Sequence, residues 1–261
     1  MIKLNNLNLK IIAENLIDTF LNAGKIAREI SQQGIKVIIK ADKSPVTDAD
    51  LAVDKILKNK IRDFDSNIPI VSEETVNFNI KNRDKTFWLI DPIDGTKDYI
   101  KQRDEYTLNA ALVINFYPTI GIIYAPAKER LFYSYGKGLA FELNKEKKIV
   151  LNCKKRNNNE IIGLENSGNT PPEIKEIYIK SKVSKLMKIS SSLKFCILAS
   201  GEADIYAAKA RACEWDIAAG HIILEHAGGS VTDHDGKTFL YGKEKFKNIA
   251  IIAKRSSNLE K

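Results

Sequence analysis

Between residues 87 and 98 an apolar run ends abruptly in polar residues, with the sequence Phe-Trp-Leu-Ile-Asp-Pro-Ile-Asp-Gly-Thr-Lys-Asp. Four consecutive large apolar residues are typical of a strand covered on both faces, and the Gly-Thr pair indicates a turn that leads into a helix. Asp91 and Asp94 would then lie at the mouth of a sheet. There they could bind a hard cation such as Mg²⁺, together with the backbone carbonyl of Ile93. An ordinary Asp-Gly turn would explain the same residues without any chemistry.

Composition narrows the class of protein. The chain has 261 residues, of which 44% are hydrophobic and 28% charged, which is ordinary for a globular protein with one large or two modest domains. The net charge of +8 would suit a nucleic acid, an anionic membrane surface or a phosphorylated small molecule. Because the lysines are scattered and no Arg-rich arm occurs, a nucleic-acid groove is a weaker interpretation.

The cysteines and the N-terminus indicate the cellular compartment. Cys153, Cys196 and Cys213 are an odd number without metal-ligand spacing, which argues against a disulfide framework. We find no signal-peptide core and no apolar run of about 18 residues. We therefore expect a cytoplasmic protein without a transmembrane segment. Peripheral attachment to the inner membrane stays open, as does the choice between a monomer and a homodimer.

The N-terminal part of the chain predicts an α+β domain. Apolar residues at helical spacing predict a long first helix that ends near Gly34 and a second helix that begins at Thr47. A short strand at 69–72 would carry Glu73 at its end, much as the strand at 87–90 carries Asp91. Alternating apolar segments and turns over 107–143 predict an antiparallel meander.

The C-terminal part predicts an α/β domain. Residues 144–159 are polar and lack periodicity, apart from a strand candidate at 149–151, so we divide the chain into domains 1–147 and 148–261. Strands and helices alternate beyond this point, which is typical of an α/β domain. The predicted strands are 161–164 and 186–189, and the predicted helices are 171–182, 193–199 and 215–227, the last ended by Gly228.

Two further acidic residues have simple structural explanations. Asp216 falls in the first turn of the last predicted helix, where an aspartate caps the helix favourably. Thr47 and Asp50 have the spacing of a capping box. Capping is the favoured explanation of each acid in isolation. A helix N-terminus that holds a carboxylate beside a cation can nevertheless also direct its backbone N–H groups at a phosphate.

Taken together, these acidic positions resemble the inositol-monophosphatase-like family of Mg²⁺-dependent, lithium-sensitive phosphomonoesterases. The resemblance covers nearly the whole chain, and D-P-x-D-G-T is its most specific motif. The motifs that carry it are Ser44-Pro45-Val46-Thr47-x-x-Asp50, Ser72-Glu73-Glu74, Trp88 to Thr96, Trp215 to Gly220, and Ala227-Gly228-Gly229.

The resemblance implies an α+β fold, a layered αβαβα sandwich with the site between an N-terminal α+β and a C-terminal α/β domain. It implies that two or three Mg²⁺ ions are held by Glu73, Asp91, the Ile93 carbonyl, Asp94 and Asp216. Asp50 and Thr96 would position and deprotonate the attacking water. The N–H groups of Gly95 and Thr96 would hold the phosphate.

Within the family, the chain looks most like the 3′(2′),5′-bisphosphate nucleotidases of the CysQ type. Thr96-Lys97-Asp98-Tyr99 and Ser191 to Cys196 carry this likeness. It implies hydrolysis of adenosine 3′(2′),5′-bisphosphate to AMP and phosphate. The expected substrate contacts are Glu73, Gly95, Thr96, Lys97, Ser192, Lys194, Arg211 and Asp216.

Several alternatives stay open. Lys194 and Arg211 would bind the second phosphate, or they would be solvated surface charges. The enzyme could be an inositol or sugar phosphatase instead. The chain could also be a non-catalytic module that binds RNA or a protein, although the intact acidic set argues against this.

Overall fold

The computed structural model describes residues 6–40, 43–78, 84–145, 147–154, 160–166, 168–257 and 259. Within them the chain forms a two-stranded, a seven-stranded and a five-stranded sheet. No helix in this described part is both long and apolar enough to cross a lipid bilayer.

The first quarter of the described chain consists of two helices joined by a hairpin. Helix α1 (Asn6–Gln33) is followed by β1 (Val37–Ile39), β2 (Pro45–Thr47) and α2 (Asp48–Phe64). Thr47 caps α2, and its side chain and backbone exchange hydrogen bonds with Asp50, so the predicted capping box is confirmed.

The seven-stranded sheet has its strands in chain order. They are β3 (Ile70–Ser72), β4 (Phe87–Asp94), β5 (Thr107–Ile114), β6 (Tyr117–Ala125), β7 (Arg130–Gly136), β8 (Leu139–Asn144) and β9 (Lys147–Val150). β3 is parallel to β4, and every later pair is antiparallel, which confirms the predicted meander. Helix α3 (Thr96–Ile100) follows β4.

The strand predicted at 149–151 corresponds to β9, which pairs with β8 in the seven-stranded sheet. Residues 146 and 155–159 of the predicted linker lie outside the described residues. The division into domains after residue 147 stays a prediction.

The five-stranded sheet contains the C-terminal strands. They are β10 (Ile162–Glu165), β11 (Lys185–Lys188), β12 (Ile205–Ala208), β13 (Ser230–Thr232) and β14 (Ile251–Lys254), in the order β11-β10-β12-β14-β13. β10 is parallel to β11 and β12, whereas β14 is antiparallel to both of its neighbours. The described residues of this part also form three α-helices: α4 (Pro172–Lys180), α5 (Leu193–Ala199) and α6 (Ala218–His226).

Helix α6 begins later than predicted. The sequence pattern predicts a start at Trp215, but the N–H groups of Ile217 and Ala218 both donate to the carbonyl of Glu214, so residues 214–217 form a turn. Asp216 therefore lies in the turn before the helix and not in its first turn.

Alternation along β4 shows how the layers stack. Trp88 and Ile90 pack with α1 and α2 on one face of the seven-stranded sheet. Phe87 and Leu89 face α5 and α6, which also contact the five-stranded sheet. Helix α4 covers the outer face of that sheet. The layer order is α, β, α, β, α, so the predicted sandwich is confirmed.

Gly121 of β6 lets α6 approach the seven-stranded sheet closely. A Cβ at this position would meet the carbonyl oxygen of Ala219 and lie 2.7 Å from Cγ2 of Ile222. We expect Gly121→Ala to lower the free energy of unfolding by about 1–3 kcal/mol, because two backbones would have to separate. Urea denaturation tests this. Gly168→Ala is the control, because an added Cβ there meets nothing within 4 Å; equal stability loss in both variants would contradict the argument.

Candidate metal and active site

The parallel pairing of β3 with β4 places two acidic residues side by side. Ser72 is in register with Ile90, so Glu73 and Asp91 both follow at the carboxyl end of the pair, and the N–H of Glu73 donates to the Ile90 carbonyl at 3.1 Å. The turn before α6 brings Asp216 from the other half of the chain. Carboxylate oxygens of Glu73, Asp91 and Asp216 lie within 4.8 Å of one another.

This acidic cluster has the properties of a divalent cation site. Asp91 is 1% exposed, and its Oδ1 has no hydrogen-bond partner among the described residues. Burial, reinforced by the charge of Glu73 and then of Asp94, raises the pKa of Asp91 well above its usual range. Burial likewise raises the pKa of Glu73 to about 7. A hard divalent cation would satisfy the unpaired oxygen and offset the repulsion, so these residues fit Mg²⁺.

Asp94 points to the C-terminal half of the chain. Its Oδ2 accepts a hydrogen bond of 2.5 Å from the N–H of Ser192, whose hydroxyl donates to Asn109 Oδ1 at 2.7 Å and lies 2.8 Å from Thr107 Oγ1. Burial raises the pKa of Asp94, while the charge of Lys194 opposes this. Asp94 is not one of the three clustered residues, so its role as a metal ligand stays a prediction.

The side chains of Asp50 and Thr96 form hydrogen bonds with different parts of the chain. Asp50 Oδ2 accepts hydrogen bonds from the N–H of Thr47 at 2.7 Å and from its hydroxyl at 2.5 Å. The Thr96 hydroxyl donates to the Ile93 carbonyl at 3.1 Å. Asp50 is nevertheless close enough for its charge to raise the pKa of both Glu73 and Asp91. Their joint action on a water therefore stays a prediction, as does the Ile93 carbonyl as a ligand.

Lys194 is buried and lies beside the acidic cluster. It is 5% exposed, its Nζ donates to the Ile189 carbonyl at 3.2 Å, and the same atom lies 5.2 Å from the centre of the Tyr206 ring. Burial lowers its pKa to about 8, although the charge of Asp94 favours the cation. The alternative of a solvated surface charge is therefore wrong for Lys194.

The other predicted substrate contacts differ in exposure. Lys97 and Arg211 are exposed, whereas Ser192 is buried. Gly95 has φ +89°, in the left-handed region that favours glycine, and it is the N-cap residue immediately before α3. The first N–H groups of α3 have no partner within the helix, as the prediction of a phosphate contact requires.

Two cavities adjoin each other, and the smaller one is lined by Asp216 of the cluster. The smaller has a volume of about 230 Å³ and is lined by Asp94, Ser192, Lys194, Tyr206, Arg211 and Asp216, among others. The larger, of about 430 Å³, has an apolar side formed by Pro171, Ile174, Tyr178 and Ala207. Both are lined by Asn166, Ala208, Lys209 and Arg211, so the two spaces are neighbours.

Sequence reasoning missed a cation that contacts Glu73 of the cluster. Lys40, directly after β1, donates to Glu74 at 2.8 Å and lies 3.8 Å from Glu73. No periodic pattern in the sequence indicates a role for this lysine. Glu73 and Glu74 lie 33 and 34 positions later in the chain, and only the folded hairpin brings Lys40 to them. Asp54 was also missed; it accepts from Ser72 at 2.5 Å and from Lys58 at 2.9 Å. Its spacing of four from Asp50 on α2 was the available signal.

Comparison with known proteins agrees with this geometry. Residues 8–260 match the Inositol monophosphatase family. The 3′(2′),5′-bisphosphate nucleotidase CysQ of Buchnera aphidicola is 38% identical over 216 residues, which are 81% of this chain and 79% of that protein. The CysQ protein of Escherichia coli K12 is 33% identical over 87% of this chain and 93% of its own length.

Solved structures show the same fold. CysQ from Bacteroides thetaiotaomicron, described as a bacterial member of the inositol monophosphatase family, has a TM-score of 0.75 and 30% identity over 91% of this chain and 94% of its own. An IMPase of Thermotoga maritima has a TM-score of 0.73 at 23% identity, over 93% and 91% of the two chains. The predicted resemblance is therefore confirmed, and the chain belongs to the inositol monophosphatase family.

Proposed function

We propose that this chain is a Mg²⁺-dependent phosphomonoesterase that hydrolyses adenosine 3′(2′),5′-bisphosphate to AMP and phosphate in the cytoplasm. The observation that carries the proposal is the buried cluster of Glu73, Asp91 and Asp216, with its unpaired carboxylate oxygen. The names of the CysQ relatives support the choice of substrate.

The chain's own residues would divide the work of phosphate hydrolysis. Bound Mg²⁺ would neutralise the phosphate and lower the pKa of the attacking water. Glu73, Asp91, Asp94, the Ile93 carbonyl and Asp216 would hold it. Asp50 is suited to accept a proton, because burial raises its pKa to about 6, near the pH at which the reaction would run.

The remaining catalytic and phosphate contacts come from the first turn of α3. The Thr96 hydroxyl would orient the attacking water by exchanging its hydrogen bond to Ile93 for one to the water. The N–H groups of Gly95 and Thr96 would hold the reacting phosphate. Lys97, which is exposed, would contact the substrate at the rim.

The space beside the cluster favours a nucleotide over an inositol phosphate. The smaller cavity would hold the ribose and the second phosphate near Lys194, Arg211 and Ser192, and the larger one would hold the base against its apolar side. An inositol ring would fill only the smaller cavity. Charge-assisted contacts to a phosphate are worth about 1.5–3 kcal/mol each, so a bisphosphate gains most from this arrangement.

One comparison of substrates tests the proposal. We expect the purified protein with Mg²⁺ to release phosphate from adenosine 3′,5′-bisphosphate with a kcat/KM about 10²-fold higher than from inositol 1-phosphate. The reverse preference would make the enzyme an inositol phosphatase. Mg²⁺-independent RNA binding without hydrolysis of either compound would indicate a non-catalytic binding module.

Lys194→Met is expected to separate binding of the second phosphate from the chemistry. The side chain keeps its length and loses its charge, so KM for adenosine 3′,5′-bisphosphate should rise about 10-fold or more. KM for adenosine 3′-monophosphate, which lacks the second phosphate, should change far less. Lys185→Met, at an exposed position of β11, is the control. Equal increases of KM for both nucleotides would show that Lys194 does not bind the second phosphate.

A further inference from the structure

A buried carboxylate holds the turn that carries Asp216. The Glu214 side chain has no exposed surface. One of its oxygens accepts from the N–H of Gly242 at 2.7 Å, and the other accepts from the N–H of Lys243 at 2.9 Å and from its ammonium group at 2.7 Å. Three donors around one buried carboxylate fix its position, because hydrogen bonds to a carboxylate are strong in a buried environment.

The backbone around Glu214 is tied to the same segment, residues 242–248, which we call the strap. The N–H of Glu214 donates to the Phe246 carbonyl at 2.8 Å, and the N–H of Asn248 donates to the Ala212 carbonyl at 2.9 Å. Cys213 and Lys247 form an antiparallel bridge between these two bonds. The strap therefore holds residues 212–214 over their whole length.

The same turn carries Asp216, which is one of the three residues of the acidic cluster. The carbonyl of Glu214 accepts from the N–H groups of Ile217 and Ala218 at 3.2 and 2.9 Å. The Asp216 carboxylate accepts from the N–H of Cys213 at 2.8 Å. Asp216 is the only one of the three clustered carboxylates that comes from the C-terminal half of the chain. Its separation from Glu73 and Asp91 therefore depends on how firmly the turn is held, all the more because the three charges repel one another.

We propose that Glu214 is a positioning residue that presses the turn against the strap and thereby holds Asp216 where a divalent cation can bind. This inference rests on the proposed metal-dependent function. Glu214 does not touch the cation or the substrate; it acts through the turn. Its loss should therefore weaken Mg²⁺ binding and leave the chemistry at saturating Mg²⁺ nearly unchanged.

Glu214→Gln tests the proposal with little change in shape. The amide NH₂ group would face a backbone N–H or the Lys243 ammonium, so at least one of the three hydrogen bonds must break. We expect the Kd for Mg²⁺ alone, measured by calorimetry, to rise about 10-fold or more, as is usual when a group that supports a metal ligand is removed. The Mg²⁺ concentration for half-maximal activity should rise in parallel, while kcat at saturating Mg²⁺ changes little. Lys243→Met, which leaves both backbone bonds to Glu214, should give a smaller increase.

Asp204→Asn is the matched control. Asp204 is another buried carboxylate, paired with Arg255 and bonded to the N–H of Ile162 at 2.7 Å, at the opposite end of β12 from the cavities. The Asp204→Asn substitution should lower thermal stability without changing the Kd for Mg²⁺. A Glu214→Gln protein that is destabilised to a similar extent but binds Mg²⁺ like the wild type would overturn the proposal. If Glu214→Gln does not fold, an unchanged Kd in Lys243→Met overturns it instead.

The same measurements separate this inference from the proposed function. A wild-type protein that binds Mg²⁺ but does not hydrolyse adenosine 3′,5′-bisphosphate would reject the proposed function, and weaker Mg²⁺ binding by Glu214→Gln would still support the positioning role. A wild-type protein that binds no divalent cation would reject both.

Discussion

Replacing Asp91 by asparagine is expected to reduce turnover by about 10³-fold or more while making the metal-free protein more stable. Turnover falls because an amide holds a divalent cation far less well than a carboxylate, and metal stabilisation of the developing charge is worth several kcal/mol. Stability rises because Asp91 is buried, has an unpaired Oδ1 and lies among the charges of Glu73, Asp94 and Asp216. A neutral side chain of the same shape removes that repulsion.

Two measurements check this expectation. Phosphate release at saturating Mg²⁺ gives the loss of turnover, and thermal unfolding in the presence of a chelator gives the stability. Asp54→Asn is the matched control, because Asp54 is also buried but is paired with Ser72 and Lys58. That variant should be less stable than the wild type. A less stable Asp91→Asn protein, or one that keeps a tenth of its turnover, would contradict the metal-site assignment.

The sequence is most informative where a local rule and the topology agree. Glu73 and Asp91 each follow a short apolar strand, and parallel pairing of these strands is sufficient to place them together. The capping box at Thr47 was predicted from spacing and is present. It accounts for the hydrogen bonds of Asp50, so a catalytic role for this residue rests on its raised pKa and on its charge acting on the cluster.

The features that sequence reasoning missed depend on contacts between distant segments. Lys40 reaches Glu74 only because the hairpin folds back over the end of β3. The late start of α6 reflects the ties between residues 212–214 and the strap, and Glu214 itself shows no periodic or motif signal. Such contacts are set by tertiary packing, which local propensity does not contain.

The stability of the metal-free protein should fall as the pH rises from about 4 to about 7, which is the reverse of the usual behaviour of carboxylates in ion pairs. In the unfolded chain the carboxyl groups titrate near pH 4. In the folded chain burial raises the pKa of Asp50 to about 6 and that of Glu73 to about 7, and it raises those of Asp91 and Asp216 well above their usual range.

The number of bound protons in the folded and unfolded chains determines the direction of this change. Between these pH limits the folded protein holds protons that the unfolded chain has released, so the free energy of unfolding decreases as the pH rises. This stabilisation is fully present below the unfolded pKa and is lost as the pH rises through the folded pKa. For Asp50 alone, which is 1% exposed, the loss is about 3 kcal/mol at most. The contact with Arg130 lowers the pKa of Glu202, and the contact with His221 lowers the pKa of Glu225. The stability that these two ionised carboxylates contribute is lost at low pH. The free energy of unfolding therefore passes through a maximum at acidic pH.

Mg²⁺ should reverse this trend, because it binds the deprotonated folded cluster and gains affinity as protons leave. Urea denaturation at several pH values, with a chelator and with excess Mg²⁺, measures both slopes. The Asp91→Asn protein should show a shallower decline in the chelator, since one of the titrating groups is gone and its neighbours repel one another less. A wild-type protein whose metal-free stability rises steadily up to pH 7 would mean that the carboxylates of the cluster are ionised without cost. The cluster would then lack the electrostatic strain that makes it a site for a divalent cation.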